Sequence, residues 1–176
     1  EARRLPAKDP DNFYLSSMNR KRLNFEAMRD GMLQISGELD LTMHGPSQKL
    51  HSKPYSKRRA VYGYIDRQNI SPTLNSFDFA NPNIHAPKRV ETTVPQQALF
   101  AFNHPFVIER SAILAKKAYE STATNPLSQV EFLYRQILSR DPRKEEIKLG
   151  AEFLGSDTKL SNLEDLAQTL LVSNEF

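Results

Sequence analysis

The sequence contains no cysteine. That absence excludes disulfides, thiolate metal sites, a cysteine nucleophile and covalent c-type haem attachment within this segment. It leaves the compartment open. No apolar run approaches the ~18 residues needed to span a bilayer, and no signal-peptide pattern opens the chain. The opening EARRLPAKDP lacks an initiator Met and reads as an internal cut, so a targeting signal would belong to a longer parent. Catalytic motifs are missing as well. There is no Gly-x-Ser-x-Gly elbow, no His-Glu-x-x-His, no phosphate-cradling glycine loop and no histidine pair at helical spacing. Charge of one sign is also scarce. The net value is only +3, which, with no recognised binding motif, argues against nucleic acid.

What is present has globular proportions. Apolar residues make up 39% and charged residues 26%, near the usual values, and 176 residues suffice for one well-buried core. Eleven prolines against six glycines point to helices joined by stiff, irregular connections. Charge is unevenly spread: residues 1–90 hold 15 Lys and Arg against 9 Asp and Glu, and residues 91–176 hold 9 against 12. The clusters Arg20-Lys21-Arg22 and Lys57-Arg58-Arg59 read as solvated faces in preference to phosphate contacts.

Along the chain, residues 1–23 read as an irregular lead-in at a truncated boundary, and residues 24–176 as a single, mostly helical domain. Asn24 suits an N-cap, and Phe25, Met28, Met32, Ile35 and Leu39 follow at helical spacing, with Gly37 as the stop. From Leu41 to Lys57 the periodicity disappears, and a polar, basic, mobile loop is expected. Val61-Tyr62-Gly63-Tyr64-Ile65 is the best strand candidate, with TLNSFDF (residues 73–79) as its partner. After residue 90 the chain becomes a helical bundle. Thr93-Val94-Pro95-Gln96 and Ser161-Asn162-Leu163-Glu164 have the form of capping boxes. Ala98, Leu99 and Phe102 are expected on the buried side of a short helix, and His104 before Pro105 marks a break. Asn125-Pro126 and Asp141-Pro142 begin further helices. The expected fold is mainly α: a helical bundle with a small two-stranded β element and long irregular loops. Residues 24–90 would hold one helix, the long loop and the β element, and 91–176 the bundle.

Three stretches carry a family resemblance: NRKRLNFEAMRDGMLQISGELDLTMHGPS, the block from RRAVYGYIDRQNISPTLNSFDFANPN to KRVETTVPQQALFAFNHPFV, and the segment from FLYRQILSRDPRKEEIKLGAEFL to LEDLAQTLLVSNEF. In this order they resemble the C-terminal domain of unknown function of large planctomycete-type multidomain proteins. That domain is often coupled to a second uncharacterised domain and a cytochrome c-like haem domain. The family-like positions of the middle block are Arg58, Arg59, Tyr62, Arg67, Phe77, Asp78, Asn81, Arg89, Thr92, Thr93, Pro95, Gln97, Ala98, Leu99, Asn103 and Pro105. His104 departs from the family, which usually carries an acid there. The resemblance carries over no catalytic residue. It implies an exported parent, periplasmic or envelope-associated, with haem in another domain and no cofactor in this segment.

Two chemistries compete for the polar block at 77–104. As scaffold, Asp78 and Asn81 make turn bonds, Thr93 and Gln96 cap the next helix, and an arginine pairs with Asp78 to pin the loop over the bundle. As a site, Arg58, Arg59, Tyr62, Arg67, Asp78, Asn81, Arg89, Thr92, Thr93 and Gln97 would hold an anionic or carbohydrate ligand. Asp78, His85 and His104 would have to converge for catalysis, and His85 and His104 are weak metal candidates. The scaffold reading is favoured. It makes the chain a non-catalytic structural or interaction module whose partners are other domains of its parent or envelope proteins. The alternative is part of an enzyme or ligand-binding site, hydrolytic or redox-associated.

Overall fold

The computed structural model describes residues 9, 12–15, 22–122, 125–155 and 158–176. The lead-in therefore lies largely outside the described residues, as do Arg20 and Lys21 of the first basic cluster. Where it is described, the Asp9 carboxylate accepts from the Phe13 and Tyr14 amides at 2.7 and 3.0 Å.

The chain is mainly helical, as expected. Its helices are α1 (Phe25–Ile35), α2 (Pro72–Ser76), α3 (Pro95–Asn103), α4 (Pro105–Ser121), α5 (Pro126–Leu138), α6 (Lys144–Leu154) and α7 (Leu160–Val172). Apolar residues of α1, α4, α5, α6 and α7 meet in one core. Leu114 of α4, Leu133 of α5 and Leu163 of α7 are fully buried, and Leu33 of α1 joins them. Ala115, Ala118 and Ala167 are buried at the same place. Such small side chains suit the close α4–α7 contact, the most extensive in the molecule.

Several boundaries follow the sequence signals. Asn24 caps α1, its Oδ1 accepting from the Ala27 amide at 2.9 Å. Gly37 turns the chain at φ +71°, a left-handed conformation that glycine adopts without steric cost. The open carbonyls at the end of α1 are met from the bundle: Lys117 Nζ donates to Ser36 O at 2.8 Å and Gln136 Nε2 to Ile35 O at 2.7 Å. Asn125 caps α5 through Leu127 N at 3.0 Å, with Pro126 in the first turn. His104 is both the last cap of α3 and the first cap of α4, its Nδ1 accepting from Phe106 N at 3.2 Å.

Other expectations are corrected. The two-stranded β element is absent among the described residues. Ala60–Tyr62 forms a single 3₁₀ turn, only isolated bridges join Asp40 to Arg58 and Gln48 to Gly63, and Pro72–Ser76 is helical. The would-be strand already has partners. Asp30 accepts from Ala60 N through both carboxylate oxygens, and Gln48 exchanges main-chain bonds with Tyr62 and Tyr64. The start of α3 sits one residue later than expected and is no full capping box. Val94 is the N-cap and offers no side-chain acceptor, and Gln97, not Gln96, reaches back, its Oε1 accepting from Val94 N at 3.4 Å. α6 starts at Lys144, with Glu146 accepting from Arg143 N at 2.7 Å. α7 starts at Leu160, because the Asn162 and Leu163 amides already bond Lys159 O, so Ser161 is inside the first turn.

Candidate functional site

The polar block is organised around Asp78, which stands in the left-handed region at φ +57°. This sparsely occupied conformation is one that Asp tolerates better than most residues. It turns the carboxylate back onto Thr92. Oδ2 accepts from Thr92 N at 2.8 Å and Oδ1 from Thr92 Oγ1 at 2.7 Å. The Thr92 hydroxyl and amide together hold the Asp78 carboxyl below the usual carboxylate range.

Arg89 does not pair with that carboxylate. Its Nε donates to the Asp78 carbonyl at 3.1 Å, while Nη1 donates to both oxygens of Glu26 at 3.1 and 3.0 Å. The expected arginine–Asp78 pin is therefore replaced by a tie to the first turn of α1, where an acid also suits the helix dipole. Arg22 Nη1 donates to Thr92 O at 2.7 Å. Buried Gln97 adds a third tie, from Nε2 to Ser76 O at 2.8 Å and to Thr92 O at 3.2 Å. The block is thus fastened to α1, α2 and α3 together.

Arg58 is the centre of a second arrangement. Its guanidinium lies over the Tyr62 ring, 3.9 Å from the centroid, and Nη2 donates to Thr42 O at 2.8 Å and His44 O at 2.5 Å. Tyr62 Oη accepts from His44 N at 3.0 Å. The 41–57 loop, expected to be mobile, is irregular but anchored by these bonds. Arg58's own carbonyl accepts from Arg29 Nη1 at 2.9 Å, and Arg29 also binds Ser56 O and Asp30. Burial pushes the Arg29 guanidinium below its ordinary value. Arg110, also buried, lies 2.9 Å from Glu38 Oε2. Arg29 and Arg110 both face the Phe106 ring, at 5.5 and 5.0 Å from its centroid.

The remaining predicted residues do not join these groups. Arg59, Arg67, Thr93 and His85 are exposed. Asn81 makes a local turn, Oδ1 accepting from Asn83 N at 2.9 Å, and Arg67 enters only through its carbonyl, which accepts from Asn83 Nδ2. His104 is half-buried and stacked on Phe100, with ring centroids 4.3 Å apart. Asp78 faces Thr92, His104 faces Phe106 N and Phe100, and neither His85 nor His104 is among the described residues lining the concavity beside Asp78. Among the described residues no group of three or more His, Asp or Glu is placed to hold a metal.

Two concavities adjoin the block. A small one of about 260 Å³ lies between the start of α1 and residues 89–92, with Arg22, Phe77, Asp78 and Arg89 in its lining. A larger cleft of about 1030 Å³ runs beside α3 toward the C-terminal end of α7. Sequence reading missed Arg22, Glu26, Arg29 and Arg110. For Arg29 a signal existed. It falls inside the apolar stripe of α1, four residues after Phe25 and three before Met32, so a charge there had to be buried with partners.

These observations define a class: a mainly helical domain whose irregular part is braced by arginines. The family can also be stated. Residues 2–154 match the family described as PSD1, protein of unknown function (DUF1553), and the chain belongs to it. This bears out the resemblance to a domain of unknown function. The match ends with α6, yet Leu163 and Ala167 of α7 complete the core that α4 needs. No curated protein and no solved structure matches the chain.

Proposed function

We propose that this chain is a non-catalytic module that stabilises and presents an interaction surface within a larger multidomain protein. One observation carries the reading. Asp78, Arg89 and Gln97, the organising side chains of the polar block, are engaged with the protein's own backbone and side chains. Both Asp78 oxygens are taken by Thr92, Arg89 is tied to Glu26 and Asp78 O, and Gln97 to Ser76 O and Thr92 O. A general base acts with a nucleophile or partner group aligned within hydrogen-bond reach, and the Asp78 carboxylate is oriented onto Thr92 with no histidine beside it in the concavity it lines. The resemblance supports a setting for the module: a large exported protein, periplasmic or envelope-associated, with haem in another domain and neighbouring domains or envelope proteins as partners.

A second reading, a small anion-binding pocket, is favoured by one feature. Arg89 Nη2 is shielded from solvent without a hydrogen-bond partner, and Arg89 and Arg22 both line the 260 Å³ concavity. Melting curves of Asp78→Ala and Arg89→Ala separate the two. As scaffold, each variant loses about 0.5–1.5 kcal/mol, the net contribution of a typical hydrogen bond, and the melting temperature falls. Unchanged melting together with lost binding of phosphate or a sugar acid to the wild type would overturn the module reading in favour of the pocket.

A further inference from the structure

α3 packs Phe100 against the core but turns its other large apolar residues outward. Gln97 is buried, whereas Ala98, Leu99 and Phe102, expected inside, are exposed, Leu99 by 59% and Phe102 by 55%. Phe102 and Ala98 form one wall of the 1030 Å³ cleft, Met32 lies in its floor, and Leu171 and Phe176 form the far wall. A concavity of this size is at the upper end for small-molecule pockets. Its small wall residue Ala98 and flexible methionine suit the side-chain ridge of a helix.

The side-chain charges at the cleft that have no ion-pair partner among the described residues have one sign. Arg22 and Arg143 line it, and its carboxylate, Glu175, is committed to Arg140 Nη2 at 2.8 Å. An occupant must therefore bring apolar anchors at helical spacing with carboxylates beside them. The chain's own residues 16–21, SSMNRK, contain two cations and no acid, and α3 of a second copy, PQQALFAFN, contains no acid either. We infer that the α3–α7 cleft is a docking groove for an amphipathic helix of a partner, with acidic residues flanking its apolar stripe. This rests on the module reading and specifies the chemistry of its partner.

The test uses the full chain and two labelled synthetic peptides sharing one Leu stripe at i, i+3, i+4 and i+7, one flanked by Glu and its twin by Lys. Fluorescence anisotropy is expected to show the Glu peptide binding at least about tenfold more tightly than its twin, as charge-complementary docking requires. Ala98→Glu and Phe102→Glu should abolish that binding with melting temperature retained, and Leu99→Glu, outside the groove, should leave it intact. Arg143→Glu should reverse the preference between the peptides. Equal affinity for both peptides, binding that survives Phe102→Glu, or no binding at all would each overturn the proposal. Self-association of the chain that Phe102→Glu removes would also overturn it, giving the groove to a second copy. All four outcomes leave the Asp78 and Arg89 melting test untouched, so failure of the groove is distinguishable from failure of the module reading.

Discussion

The bundle formed by α4–α7 and the irregular segment from residue 38 to residue 94 lie in one chain but are held by different forces. In the bundle, Val107, Leu114, Leu133 and Leu163 exclude water, and the backbone satisfies itself within helices. The irregular segment has little apolar filling, with Leu50, Ala60 and Leu74 its buried hydrophobic residues. Its carbonyls are gathered by long cations instead, Arg58 on Thr42 and His44, Arg29 on Ser56 and Arg58. A guanidinium can serve this purpose because it offers five donors in a fixed plane. Apolar burial tolerates many shapes of similar volume, but a buried cation needs its partners in place.

The largest expected effect breaks the irregular side of this comparison. Arg29→Ala should cost about 3–5 kcal/mol, the range for removing one partner of a buried charged pair, because Asp30 and two loop carbonyls lose their donor. Leu133→Ala should cost about 2–5 kcal/mol through cavity formation. Chemical denaturation measures both. An Arg29→Ala cost no larger than that of an exposed substitution would mean the arginines do not hold the segment.

Gln129 sharpens the comparison from the other side. It is fully buried among the bundle residues, and neither its Nε2 nor its Oε1 has a hydrogen-bond partner. Gln129→Leu should stabilise the fold by about 1–3 kcal/mol, the usual penalty for an unsatisfied buried group, read as a higher denaturation midpoint. Arg58→Met should act locally. Cleavage within residues 41–57 by limited proteolysis should rise several-fold, while the main melting transition moves little. A matching loss of the whole transition would show that loop and bundle unfold as one.

The smallest effect concerns pH. Burial holds the His51 and His104 imidazoles below their ordinary value of 6.5. Arg29 and His104 add to this at His51 against Glu26, and Lys53 adds at His104 against Glu109. With folded-state values below the unfolded one, their contribution is complete above about pH 6.5. It is lost as pH falls through the folded values. Melting temperature should decline on acidification below that point, and the double variant His51→Asn, His104→Asn should flatten the slope between pH 7 and pH 5. A slope that persists in the double variant would assign it to other groups.

The two regions also differed in how much the sequence revealed. α1, the His104–Pro105 break and the start of α5 were legible, because caps, prolines and 3.6-residue spacing act locally. The Val61–Ile65 strand failed because β-branched and aromatic content describes a preference, while Asp30 and Gln48, distant in sequence, had already engaged those backbone groups. The α3 face failed because apolar spacing says which residues share a side of a helix but not which side meets the core. Asp78 was read as a turn residue, and Thr92 and Gln97 as candidates of the polar network, but the pairings Asp78–Thr92 and Gln97–Ser76 were not foreseen. A hydrogen bond between residues 14 or 21 positions apart leaves no periodic trace.

The grip of Arg58 has a consequence for how this protein can diversify. Carbonyl oxygens are common to every amino acid, so a loop fastened through them keeps its path when its side chains change. Position 43 can thus carry varied chemistry on an unaltered backbone, whereas at position 42 a change also gives up the Thr42 hydroxyl's bond to Asp40. His44 and Gly45 are the exceptions, since φ angles of +66° and +92° restrict the choice of residue there. The loop is in effect a display frame, with its tolerance set by two torsion angles and its path held by Arg58 together with Arg29, Tyr62 and the Gln48 main chain.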